Sequence, residues 1–403
     1  MTGMSAPTPQ VMDADLPVCP DSLNPKQPQY GNGCFLECCG KGPKVITVDE
    51  IKKFGNEKTK WIQKPDGRVI EYYTYGDTEA TRVFVQVHGS MSSAKLFSMF
   101  PATDAALKEH GMRGIAVNLP GHGFTSPDPH RRLGAWPATD LAPVLKAEKI
   151  PEDAPIYVEG SSFGSGHALS VLNHFQDRVA GVHLHVPAMS QEKAKELQLP
   201  LVKEGIPCGA NYATGCFLIP GHCCSPCLFC CCNTTAASFP SSMGQAVGKL
   251  PGWDQITDYD ATGAMVENVA HAKANGFQGP FVYSALVKQV QEAWGFDPFG
   301  GVPDEKLEKM KIMVSYGEKD TGCPEAQGVY MGEYFSKLCN QDGKQFENVD
   351  PVEVQGNGKG GKCLVNHKPG GHVAHLPTVF DGSLVRKFLT LVDSAPDSGE
   401  YTA

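Results

Sequence analysis

No long run of lysine or arginine occurs in this 403-residue chain, and its 35 basic residues are outnumbered by 44 acidic ones, for a formal charge of −9. Nucleic-acid binding leaves a basic footprint against phosphate, and the chain carries none. It also lacks an uninterrupted apolar stretch of the roughly 20 residues that a membrane-spanning helix requires. The most apolar segment, from Cys216 onward, is broken by Pro220, Gly221 and Pro226. The first 40 or so residues are rich in Pro and Gly, with no basic region leading into an apolar one. That predicts a flexible tail in place of a cleaved signal peptide and an intracellular, cytoplasmic chain. Internal repeats are absent. The 15 cysteines are odd in number and crowded, unlike the evenly spread framework of a disulfide-stapled secreted domain.

What is present is a length and a hydrophobic share, 41%, that suit one large α/β domain with a smaller one inserted. Within it, Ile156-Tyr157-Val158 reads as a buried strand running into Gly160-Ser161-Ser162-Phe163-Gly164. This G-x-S-x-G pattern sets Ser162 on a tight strand-to-helix turn as the candidate nucleophile, because side chains at 160 and 164 would obstruct the close approach of neighbouring main chain. In a chain with 44 glycines the pattern alone is weak, so its context has to carry it. Downstream, Gly166 to Phe175 has apolar spacing for a helix, which would aim its first N–H groups toward charge developing at the serine.

Further pieces follow in order. Asp66 to Tyr73 looks like an opening hairpin turning at Asp-Gly; Val83 to Val87 is a buried strand ending in His88-Gly89-Ser90-Met91; Ile115 to Leu119 leads into Pro120-Gly121-His122-Gly123. Val179 to Val186 and Lys311 to Tyr316 read as strands, the second ending in Gly317-Glu318-Lys319-Asp320-Thr321-Gly322-Cys323-Pro324. Val352-Glu353-Val354 and the loop Gly370-Gly371-His372-Val373-Ala374-His375 close the series.

In this order the pieces resemble the α/β-hydrolase superfamily, over about residues 61 to 190 and 306 to 392. The resemblance implies an α/β-hydrolase fold: a mostly parallel central sheet flanked by helices, with an inserted cap. The divisions it suggests are a flexible tail (1–60), the first half of the core (61–190), the cap insertion (191–305) and the second half of the core (306–395). It implies Ser162 as nucleophile, Asp320 as acid and His372 as base, in the order Ser, Asp, His. It also implies oxyanion-hole N–H groups at Phe163 and at Ser90 or Met91, supported by His88, Gly89, Gly160 and Gly164, with no metal and no cofactor. Val352 to Val354 stands where the family has its last strand. Asn118 stands where the family has Asp, which puts any local salt bridge there in doubt.

Rivals exist for each role. Glu318 sits too early in its motif to replace Asp320. His367 and His375 compete with His372, which is favoured because two preceding glycines suit a loop folding back over the serine. His183 and His185 share one strand face and read as structural, and His88 and His122 as hydrogen-bonded turns without metal-ligand spacing.

From Gly205 through Gly248 there is no Asp, Glu, Lys or Arg, and this stretch holds the block from Cys216 to Cys232. Three readings stay open: a zinc site from His222, Cys224, Cys227 and Cys230; an S-acylated loop touching a membrane, with Cys34, Cys38 and Cys39 as a second cluster; or a buried cap loop. After it, Ala261 to Ala274 and Val282 to Trp294 have helical spacing, and Trp253, Phe277, Phe281 and Trp294 are candidates for a pocket wall or cap core. The triad implies cleavage of an ester or related acyl bond in a small, apolar acyl substrate. The other readings are a ligand-binding or signalling relative without turnover, and an acyltransferase or thioesterase on the same scaffold. With His372 as base, activity is expected to fall with acid through a histidine-like pKa of roughly 6 to 7.

Overall fold

Runs such as Val83–Val87 place β-prone side chains on both sides of the backbone, and all of them can be buried only in a sheet covered on both faces. The computed structural model describes residues 16–27, 45–89, 92–128, 132–201, 256, 260–272, 274, 294–320 and 322–394. Among these, nine strands share one sheet: β1 (Thr59–Gln63), β2 (Val69–Gly76), β3 (Val83–Val87), β4 (Arg113–Val117), β5 (Ile156–Ser161), β6 (Val179–His185), β7 (Lys311–Gly317), β8 (Phe346–Glu347) and β9 (Lys362–Lys368). Their order is β1-β2-β4-β3-β5-β6-β7-β9-β8. β2 runs antiparallel to both β1 and β4, and the remaining pairs are parallel. The opening hairpin turns at Asp66-Gly67, with Gly67 at φ +87°.

Alternation along the strands splits the core in two. Val83, Val85 and Val87 point to one side with Ile156, Val158, Ile312 and Val314, where helices α2 (Gly164–His174) and α4 (Glu325–Cys339) supply Leu169, Leu172, Met331 and Phe335. Phe84, Tyr157, Met313 and Leu364 point to the other, against α1 (Pro101–Glu109), α3 (Ala261–Ala272) and α5 (Ser383–Asp393). α5 buries Leu384, Val385, Phe388, Leu389, Leu391 and Val392, a helical stripe that sets Phe388 5.9 Å from Phe84.

Three expectations are corrected. Val352 to Val354 is not a strand: Pro351–Glu353 forms a 3-10 turn, with the Asp350 carboxylate accepting from the Val352 N–H at 3.0 Å and Val352 66% exposed. Proline fixes φ and removes a ladder donor, which suits a turn and not a central strand. The strand beside β7 is β9, whose buried Cys363-Leu364-Val365 is flanked by Lys362, Asn366, His367 and Lys368, so its polar ends disguise it. Second, the stretch assigned to a flexible tail includes packed structure. Thr47 caps the helix Val48–Phe54, and Ile46, Val48 and Ile51 join Trp61, Val69 and Phe124 in a small core. Cys19 N–H donates to the Trp61 carbonyl at 2.8 Å. Third, α3 ends at Ala272, before Ala274.

Candidate active site

Ser162 follows β5 directly and adopts φ +55°, a left-handed conformation that a non-glycine residue holds only when its surroundings impose it. The surroundings are glycine. A Cβ at Gly160 would fall onto the Gly164 carbonyl, and one at Gly164 onto the carbonyls of Val87 and His88. Gly89 is similarly close, 3.1 Å from the Ser162 side chain if it carried a Cβ. The turn is pinned by the Ser162 N–H donating to the His185 carbonyl at 2.8 Å. The next residue, Val186, also has positive φ (+43°), a β-branched outlier that no sequence pattern announced.

The structure brings Ser162, His372 and Asp320 together. Ser162 Oγ lies 3.0 Å from His372 Nε2, and His372 Nδ1 lies 2.8 Å from Asp320 Oδ2. The other Asp320 oxygen accepts from the backbone N–H groups of Gly322 (2.8 Å) and Cys323 (2.9 Å), so both oxygens of the buried carboxylate are engaged. The His372 loop leaves β9 through Gly370 at φ +127°, where a side chain would be strained.

The rivals are committed elsewhere. Ser161 Oγ pairs with His185 Nδ1 at 3.1 Å, and Ser165 Oγ donates to the Ser162 carbonyl. Glu318 bonds His367 at 2.8 Å, and His375 Nε2 bonds the Tyr316 carbonyl at 2.9 Å. His183 is held by Ser315 at 3.0 Å and is fully buried, as expected of a structural residue. His88 donates through Nδ1 to the Gly89 carbonyl (2.8 Å) and accepts the Leu119 N–H at Nε2 (3.0 Å). Burial and the neighbouring His122 ring, 4.9 Å away, hold its pKa well below the usual histidine value, so it is a neutral strut of the loop after β3.

Of the candidate oxyanion residues, Phe163 opens α2 with helical φ/ψ (−58°, −24°). Ser90 and Met91 lie outside the described residues, as do the Cys216 to Cys232 block, Cys34, Cys38, Cys39, Trp253, Phe277 and Phe281. Trp294 is buried beside Gly166 of α2 and Phe296, in the core. Among the described residues there is no cluster that could hold a metal ion and no helix long and apolar enough to cross a membrane.

One site residue had no role in the sequence reading. Cys323 Sγ lies 3.8 Å from Ser162 Oγ, and the thiol is buried against His372. Burial of the imidazole works against protonation, but its contacts with Cys323 and the Asp320 carboxylate outweigh it and push His372 up to about 10, above the expected 6 to 7. The signal available was a cysteine three positions after the acid.

Asn118 resolves differently from a salt bridge. Its Nδ2 donates to the buried Glu71 carboxylate at 2.7 Å and its Oδ1 accepts the Ala94 N–H at 2.7 Å. A second carboxylate at 118 would face Glu71, so an amide fits here where Asp would repel.

Residues 82–204 match the family model described as alpha/beta hydrolase fold. Similar solved structures include esterase RhEst1 from Rhodococcus sp. ECU1013 (18% identity, 83% of this chain and 99% of that one covered, TM-score 0.50) and the esterase EaEST from Exiguobacterium antarcticum (17%, 81% and 98%, 0.50). A thermophilic esterase from Thermogutta terrifontis is a third (14%, 81% and 95%, 0.50). Among curated proteins none matches the sequence. With the strand order above, these findings make the chain an α/β-hydrolase-fold protein.

Proposed function

We propose that the chain is a serine hydrolase that cleaves a carboxylic ester or a related acyl bond. The observation that carries this is the unbroken line of contacts from Ser162 Oγ through His372 to Asp320, at 3.0 and 2.8 Å. His372 Nε2 takes the hydroxyl proton as Ser162 Oγ attacks the carbonyl carbon, and Asp320 holds the resulting imidazolium in place. The N–H of Phe163, with one from Ser90 or Met91, receives the oxyanion. His372 then returns the proton to the leaving alcohol, and water, activated by the same imidazole, releases the acid from the acyl-enzyme. The similar structures named above are of esterases, which agrees with ester chemistry. A binding protein without turnover is disfavoured, because all three groups are within bonding distance.

Labelling with a fluorophosphonate, together with hydrolysis of a p-nitrophenyl ester, tests the proposal: both are expected of the intact chain and neither of Ser162→Ala. Label that persists, or that moves to Ser161 or Ser165, overturns it.

From the uncharged stretch 205–248 we further propose an apolar acyl substrate and a peripheral membrane contact through acylated cysteines. Replacing Cys223, Cys224, Cys227, Cys230, Cys231 and Cys232 with Ser is expected to move the protein from the membrane fraction to the soluble one. An intact protein already fully soluble in cells overturns the membrane contact.

A further inference from the structure

A buried polar network joins α3, from the stretch between the two halves of the sheet, to the loop that follows β3. We propose that α3 sets this loop for catalysis, with Asn268 and His271 as positioning residues for the oxyanion donors; the inference rests on the hydrolase reading above.

The two candidate donors at 90 and 91 are bracketed by residues whose places are fixed. On one side the Gly89 carbonyl is held by His88. On the other, Asn268 Oδ1 accepts both the N–H and the hydroxyl of Ser93, each at 2.9 Å, while Asn268 Nδ2 donates to Ser92 Oγ at 3.1 Å. The Ala94 N–H goes to Asn118. Three consecutive residues after the donors are thus each gripped by a side chain distant in sequence. Asn268 and His271 are three residues apart and share one helix face. His271 Nδ1 contacts Ser93 Oγ at 3.1 Å, and its Nε2 contacts Glu71 Oε1 at 3.1 Å.

Glu71 anchors the network to the sheet. Besides His271, its carboxylate accepts from Tyr73 OH (2.9 Å), Asn118 Nδ2 (2.7 Å) and the Phe124 N–H (2.7 Å), so every lone pair of a fully buried charge is used. Burial alone would push this carboxyl up, but His271 and the other donors hold it below the usual range. An apolar contact would dock a helix at less desolvation cost, whereas a fully satisfied polar network specifies one geometry. Oxyanion donors need that geometry, since they act at a fixed distance from the developing charge. Glu71, Ser93, Asn268 and His271 are each at most 2% exposed, so they act through the loop and do not touch substrate.

The test compares Asn268→Ala with Val269→Ala, a buried neighbour on α3 that makes no bond to the loop. Asn268→Ala is expected to lower kcat on p-nitrophenyl butyrate about ten- to a hundredfold with KM within about twofold, and affinity for a trifluoromethyl ketone that mimics the tetrahedral oxyanion is expected to fall in step. Val269→Ala is expected to lower the melting temperature comparably and leave kcat unchanged. Retained kcat in Asn268→Ala, or equal loss in both variants, overturns the proposal. Hydrogen exchange over residues 92–97 provides a readout independent of turnover: faster exchange in Asn268→Ala alone supports the anchoring, and unchanged exchange overturns it. An intact chain that hydrolyses no ester, yet shows that selective exchange, would sink the hydrolase reading and leave the anchoring standing.

Discussion

The Cys323 thiol lies 3.8 Å from the Ser162 hydroxyl, so the proposed nucleophile and a buried thiol share one imidazole, His372.

The pH dependence of turnover follows from that sharing. A general base has to be neutral, and His372 is pushed up to about 10. The acid limb of kcat/KM is therefore expected above the ordinary histidine value of 6.5, with activity rising as pH rises. In Cys323→Ala the limb is expected to move down toward that value. A pH–rate profile whose limb does not move shows that Cys323 plays no part. The same shift acts on stability: the folded chain binds this proton more tightly than the unfolded one, so the contribution is complete below the unfolded pKa and is lost as pH climbs through the folded one. The melting temperature of the intact chain is expected to drop more on going to alkaline pH than that of Cys323→Ala.

Asp320→Asn is expected to cut kcat by about 10³ to 10⁴ with little change in melting temperature. The amide oxygen can keep the two N–H bonds from Gly322 and Cys323, but its NH₂ then faces His372 Nδ1 and imposes the wrong tautomer. Glu318 cannot substitute, because it is bonded to His367. Near-normal turnover in steady-state kinetics would mean that another carboxylate orients the ring.

Asn118→Asp, which restores the residue usual in the family, is expected to destabilise the fold by about 3 kcal/mol or more at neutral pH, since a carboxylate replaces the donor 2.7 Å from Glu71. Repulsion raises the pKa of one of the two acids in the folded state, so the deficit is present above that pKa and shrinks as pH falls through it. Urea unfolding at two pH values checks the sign. A deficit that is constant or grows in acid refutes the account.

Much of the fold was legible because the parallel strands leave local marks: Val83–Val87, Ile156–Ser161 and Lys311–Gly317 are short buried runs, and the turns between them carry glycine where backbone must approach. That His372, and not His367 or His375, folds back to Ser162 was readable for the same reason, from Gly370 and Gly371. β9 was not, because its apolar centre is three residues long and its ends are polar, while the exposed Val352 mimicked a strand. Asn268 and His271 left no trace at all, and Cys323 only its place three residues after Asp320. Their partners are 175, 178 and 161 residues away, and a contact at that separation has no periodicity to betray it.

The sheet order has a consequence for how the chain becomes competent. Ser162 belongs to the strands made first, whereas Asp320 and His372 follow strands made after residue 310, and the two sets meet where β6 pairs with β7 from Gly181–Lys311 to His185–Ser315. A nascent chain therefore displays Ser162 long before the imidazole that contacts it exists. Closing that seam requires pairing across more than a hundred intervening residues, a slow, non-local step. On the proposed hydrolase reading, the hydroxyl stays chemically silent until the second half of the sheet has docked, and completion of the fold is then the event that switches the site on.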